Sequence, residues 1–175
     1  TGSSVTSIGD SAFESAQLTS LAIPDSVTFI SRNAFYNAPL TNLTIPNSVT
    51  FIGPNAFYTA QSTSLTIPDS VEDIGYNAFY TAQLTSLTIP DHVLGIGNDA
   101  FYHAPLKSLI IGFNVTSIAS GAFNEAETTL TNLTINSDLG SYFQNFVAIE
   151  SLTIGSNVTS IGDFAFHYAQ LTELT

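Results

Sequence analysis

The pair Ala-Phe returns along this chain at a fixed interval. Phe13, Phe35, Phe57, Phe79, Phe101 and Phe123 each follow the last by 22 residues, and Phe166 resumes the pattern after an irregular stretch. A period between about 20 and 50 residues marks a solenoid or array, whose units contact only their neighbours. Anchored on the Ile of a Thr-Ile-Pro element (Ile23, Ile45, Ile67, Ile89, Ile111, Ile135, Ile154, with Thr1 in that place first), the 175 residues divide into eight units: 1–22, 23–44, 45–66, 67–88, 89–110, 111–134, 135–153 and 154–175. The whole of 1–175 therefore reads as a single solenoid domain. It starts and stops on unit boundaries without capping sequence, which leaves apolar end faces and suggests a fragment of a longer chain.

Each unit has the form I-P-D-S-V-x-x-I-x-x-N-A-F-Y-x-A-x-L-x-x-L-x. Leu87 and Ile89 alternate with Ser86 and Thr88, the period of a short half-buried strand. Pro90 ends it, since proline lacks the donor a ladder needs, and is expected at the second position of a turn. Val71 and Ile74, or Val27 and Ile30, mark a second short extended segment. After it, Ala78 and Ala82 stand four apart behind Asn77, which predicts one helical turn with Asn33, Asn55, Asn77 or Asp99 as its cap.

Twenty-two residues supply only about seven inward side chains, too few to bury an apolar face alone, so coils must stack like on like. With strands about 4.8 Å apart, eight coils make a β-rich rod or arc on the order of 38 Å long, built of parallel strands with short helical turns at the Ala-Phe segments. Stacking explains why Asn55–Val71 (NAFYTAQSTSLTIPDSV) and Asn77–Val93 (NAFYTAQLTSLTIPDHV) are nearly the same seventeen letters. They differ at Ser62 against Leu84 and Ser70 against His92. Ser62 stands where Leu18, Leu40, Leu84, Leu106 and Leu171 stand, so its coil either leaves a void or bonds the hydroxyl to a nearby carbonyl.

The pattern L-x-x-L-x-I-P-D-S-V-x-x-I-x-x-x-A-F resembles the BspA-like class of bacterial and protist leucine-rich repeats over essentially the whole chain. The resemblance implies a leucine-rich-repeat fold and a secreted or cell-surface protein used in adhesion. Where that family often places Cys after the Phe, this chain has Ala16, Ala38, Ala60, Ala82, Ala104, Ala126 and Ala169, small buried residues without thiol chemistry.

Charge excludes several partners. Fourteen acids stand against Arg32 and Lys107, a net charge of −12, the wrong sign for nucleic acid or anionic lipid. No apolar run reaches the length of a membrane span, and TGSSVTSIGD has neither the basic nor the apolar region of a signal peptide. Chemistry is equally sparse. With no Cys, and with His92, His103 and His167 on different parts of their coils, no metal site or other cofactor is expected. Serines interchange with Thr and Asn at repeat positions and none has a nucleophile elbow or a recognisable base, so no enzyme is expected. Asp25, Asp69 and Asp91 read as turn residues in preference to calcium ligands.

Two surfaces remain as candidate binding sites. Outward strand positions form an uncharged hydroxyl lattice: Thr44, Ser64, Thr66, Ser86, Thr88, Ser108, Asn132 and Thr134, interrupted by Ala22 and Ile110. Tyr36, Tyr58, Tyr80 and Tyr102 form an aromatic stripe, which either meets a partner or covers the coil edge by stacking on itself. The sixth unit is two residues longer, at Glu125–Thr129, and the seventh is three shorter; Tyr142, Phe143 and Phe146 there are either local drift or a bulge offered to a partner. The expected function is a non-enzymatic binding module for a protein or glycan. Two alternatives stand beside it: a structural tile self-associating end to end, and an ice- or crystal-binding surface built on the Ser-x-Thr lattice.

Overall fold

The computed structural model describes residues 4–175. The chain winds as a solenoid whose parallel strands lie on two sides of the coils. The second apolar pair of each of the first six units forms a continuous six-stranded sheet: Ser7–Ile8, Phe29–Ile30, Phe51–Ile52, Asp73–Ile74, Gly95–Ile96 and Ser117–Ile118. Each strand pairs in register with its equivalent, Ile on Ile. The Leu-x-Ile segments form the other face, where Ser86–Ile89, Ser108–Ile111, Asn132–Ile135, Ser151–Ile154 and Glu173–Leu174 make a five-stranded sheet. Ser20–Ala22 and Asn42–Thr44 make a separate pair.

Between the sheets runs a ladder of phenylalanines. Phe35, Phe57, Phe79, Phe101 and Phe123 are fully buried, with successive ring centroids 5.3 to 5.5 Å apart and planes within 12° of parallel. Ala34, Ala38 and their equivalents in the following coils are buried in the same core.

Three local expectations are corrected. The Ala-Phe segments are not helical turns. In the second coil Ala34, Tyr36 and Ala38 donate to carbonyls three residues back, whereas Asn33 and Phe35 donate across to Pro54 and Ala56 of the next coil. Handing alternate N–H groups to the neighbour stops a helix from propagating and stitches the coils together. Asn33, Asn55, Asn77 and Asp99 are accordingly not caps. They sit in the left-handed region at φ 52–55°, which Asn and Asp tolerate better than other side-chain-bearing residues. Their side chains also form a ladder, Asn77 Nδ2 donating to Asn55 Oδ1 (3.1 Å) and Asn55 Nδ2 to Asn33 Oδ1 (2.9 Å).

The proline is the first residue of its turn, not the second, since Val27, Val49, Val71 and Val93 donate to Pro24, Pro46, Pro68 and Pro90 carbonyls. The Ser of I-P-D-S-V links successive coils, because Ser26, Ser48 and Ser70 each donate to the Val carbonyl of the preceding coil at 2.6 Å. His92 replaces this serine at the next repeat and has no hydroxyl to make the link.

The bulge in the irregular units points inward. The extra residues of the sixth unit wind into a 3-10 helix at Asn124–Thr128, and Phe143 and Phe146 of the short seventh unit are 2% and 3% exposed. Tyr142 is half-buried, and its hydroxyl accepts a hydrogen bond from Phe123 N at 3.3 Å. Burial pushes the Tyr142 phenol well above its ordinary range. These aromatics replace the missing Phe of the ladder, since Phe143 in turn stacks near Phe166, centroids 6.4 Å apart. A three-residue deletion is thus absorbed by aromatic bulk.

Candidate functional site

On the Leu-x-Ile face, the carbonyl before each strand normally accepts two backbone N–H groups from the next coil. Thr41 and Asn42 donate to Thr19, Lys107 and Ser108 to Thr85, Thr131 and Asn132 to Lys107, Glu150 and Ser151 to Thr131, and Thr172 and Glu173 to Glu150. Among the described residues the two forks that should sit on Thr41 and Thr63 are absent, and residues 64–67 form no strand. The cause is Ser62. It is 3% exposed in the place of a buried leucine, and its hydroxyl donates to the Ser64 carbonyl two residues on at 2.5 Å. That local bond sits beside a bend at Thr63, and among the described residues no backbone hydrogen bond joins 64–67 to either neighbouring coil. The coils stay joined on either side: Gln83 donates to Ser62 at 3.1 Å and Leu94 to Glu72 at 2.7 Å.

Opening the sheet creates a cleft on each side of the third strand. One of about 300 Å³ is lined by Leu65, Thr66, Ile67, Asp69, Ser86, Leu87, Thr88 and Pro90. The other, of about 160 Å³, is lined by Leu43, Thr44, Ile45, Ser64 and Thr66. Five of the strand-face residues named from the sequence, Thr44, Ser64, Thr66, Ser86 and Thr88, therefore meet at these clefts. Ser108, Asn132 and Thr134 continue the row on regular strands, with Ser108 and Thr134 half-buried.

The hydroxyls of this row differ from others in the repeat. Thr28, Thr41, Thr50 and Thr116 each donate to a carbonyl of the preceding coil at 3.1–3.3 Å. Among the described residues, Thr44, Thr66, Ser86, Thr88, Ser108 and Thr134 make no hydrogen bond to another protein group through their side chains. Asn132 bonds its own neighbour, Thr131.

The tyrosine stripe lies elsewhere. Tyr36, Tyr58, Tyr80 and Tyr102 are half-buried and stack on one another, centroids 4.7 to 5.0 Å apart. Much of each ring face is spent on the next ring. Desolvation raises the Tyr80 phenol above its ordinary value, with the neighbouring tyrosines adding to it. His103 stands edge-on to Tyr80 and Tyr102 and 3.5 Å from Glu125, at one side of a polar groove that also includes Gln61, Thr81, Gln83 and Pro105.

One outward row is not among the surfaces expected from the sequence. On the six-stranded sheet, Phe29 and Phe51 stack at 4.6 Å in register with Asp73, Gly95 and Ser117. Burial, reinforced by Glu72, raises the Asp73 carboxyl. The signal is present in the repeat, because the position before each second-strand Ile is a fixed outward place.

This architecture is matched by known repeats. The sequence pattern of the BspA type leucine rich repeat region, in 6 copies, fits residues 2–105 and 73–175. The chain belongs to the BspA type leucine-rich-repeat family. No curated protein matches it. Among solved structures, this BspA type solenoid resembles a leucine-rich repeat protein from Bacteroides ovatus, with 22% identity, a TM-score of 0.59 and coverage of 98% of this chain and 64% of that one. It also resembles a leucine rich cell surface protein from Faecalibacterium prausnitzii, at 25% identity and TM-score 0.57, covering 99% and 64%. The pneumococcal vaccine antigen PcpA is similar at 19% identity and TM-score 0.53, covering 91% and 45%. The BspA type repeats thus span less than two thirds of the length of each neighbour. Among the described residues no helix is long and apolar enough to cross a membrane.

Proposed function

We propose that this BspA type solenoid is a non-enzymatic binding module of a secreted or surface-displayed protein, and that it recognises a protein partner through the Leu-x-Ile face. The observation that carries the reading is the uncommitted row. Thr44, Thr66, Ser86, Thr88, Ser108 and Thr134 project outward with hydroxyls that bond to no other described residue, while threonines at other repeat positions spend theirs on the neighbouring coil. Neutral hydroxyls cost little to desolvate compared with charges, so such a face suits a large contact of modest polarity. The cell-surface description of the Faecalibacterium neighbour supports the placement outside the cell.

The test is a screen of the intact chain against arrays of purified extracellular proteins and of glycans, repeated with Thr66, Thr88 and Thr134 all changed to Lys. Circular dichroism of the triple variant should be unchanged and the wild-type hits should vanish. Hits that survive the triple change would move recognition off this face.

A further inference from the structure

We propose that the larger cleft beside the third strand is a subsite for a single basic side chain, arginine or lysine, carried by an extended protein segment lying on the Leu-x-Ile face. The proposal rests on the reading of that face as the binding surface and specifies where and how it selects.

The size comes first. About 300 Å³ lies at the lower end of the range for small-ligand sites, room for one long side chain and some water but not for an oligomer. The slot is also closed at both ends by the Gln83–Ser62 and Leu94–Glu72 backbone bonds, so a whole strand cannot thread between the coils. A side chain entering from above can.

The chemistry of the walls selects the type. Leu65, half-buried at the cleft, offers apolar surface to an aliphatic stem. The Asp69 carboxylate lies at the cleft, exposed, and among the described residues it accepts no hydrogen bond, whereas its counterpart Asp91 accepts one from Phe113 N at 3.1 Å. Thr66, Ser86 and Thr88 add hydroxyl acceptors. The residues lining the slot include no Lys or Arg, and the chain's net charge of −12 attracts cations and repels carboxylates or phosphates at a distance. A donor-rich cation on a flexible stem satisfies every wall.

Ser62 then has a role beyond packing. It holds the subsite open, and a leucine there would close the sheet over it.

The experiment follows backbone amide shifts of the intact, isotope-labelled chain at about 150 mM salt, near-physiological screening, during titration with the peptide Thr-Arg-Thr-Arg-Thr-Arg, its Arg-to-Ala counterpart, and maltotriose. Saturable shifts confined to residues 64–67 and 86–88 are expected with the Arg peptide only. They should weaken about fivefold in Asp69→Asn, the scale of one exposed ion pair, and disappear in Ser62→Leu. Shifts spread evenly over the acidic surface, or retained in Ser62→Leu, would overturn the proposal. So would the same local shifts with maltotriose, which would assign the cleft to a glycan. If the Arg peptide binds elsewhere along Thr44 to Thr134, the face stands as a binding surface and only the subsite fails.

Discussion

Asn55–Val71 and Asn77–Val93 are the same coil written twice with two changes, and they fold differently. The later copy contains a strand, Ser86–Ile89, paired with its successor; the matching residues 64–67 form no strand. The Phe ladder, the left-handed Asn and the stacked Tyr are alike in both. Of the two changes, the one that stands beside the missing strand is Ser62 against Leu84. Leu84 is fully buried and pins its coil inward, whereas Ser62 cannot fill that space and bonds to its own chain. In a solenoid, where each coil is held only by its neighbours, one inward position decides whether a strand joins the sheet.

The largest effects are expected from what the two coils share. Phe57→Ala and Phe79→Ala should each cost about 3 to 5 kcal/mol in chemical denaturation, as for other buried phenylalanines, while Tyr80→Ala costs clearly less because its ring is half-exposed. Markedly unequal costs for the two phenylalanines would mean the third coil is disturbed down to its core. Next, Leu84→Ser should carry the break into the following coil at a cost of about 2 to 4 kcal/mol, with new exchange of the Lys107 and Ser108 amides that now donate to Thr85. If those amides stay protected, a serine at this position does not suffice to open the sheet. The smallest effect belongs to the other difference: His92→Ser should restore the hydroxyl link to the Val71 carbonyl and add about 0.5 to 1 kcal/mol, read as a shift in denaturation midpoint.

Much of this architecture is legible in the sequence. The 22-residue period and the Leu, Ile and Phe positions imply both sheets and the core, because a stacked coil must repeat its inward side chains. The fate of Ser62 reduces to two outcomes, of which the structure shows the hydroxyl bond. What local sequence does not reveal is set by backbone partners in the next coil. Asn77 reads as a helix cap from its own neighbours, and only the N–H groups given to the following coil turn that segment into a run of cross-linked turns with Asn in the left-handed region. Tyr142, Phe143 and Phe146 read equally well as a bulge or as filler, since nothing in their local sequence says that a shortened unit leaves a gap in the aromatic ladder. The clefts are hidden for a related reason: they follow from strand pairing lost across a coil, not from any motif.

The Ser62 hydroxyl bond lies where the third coil leaves the sheet, and we assign the break to it. Amide hydrogen exchange on Ser62→Leu tests this most directly. The amides of Thr63, Ser64, Thr85 and Ser86 should become protected to the level of Lys107 and Ser108, and stability should rise by about 1 kcal/mol from the added buried methylenes and the restored backbone bonds. Amides that remain as open as in the wild type, or a loss of stability, would show that the third coil has repacked around the serine and that the break in the sheet has another cause.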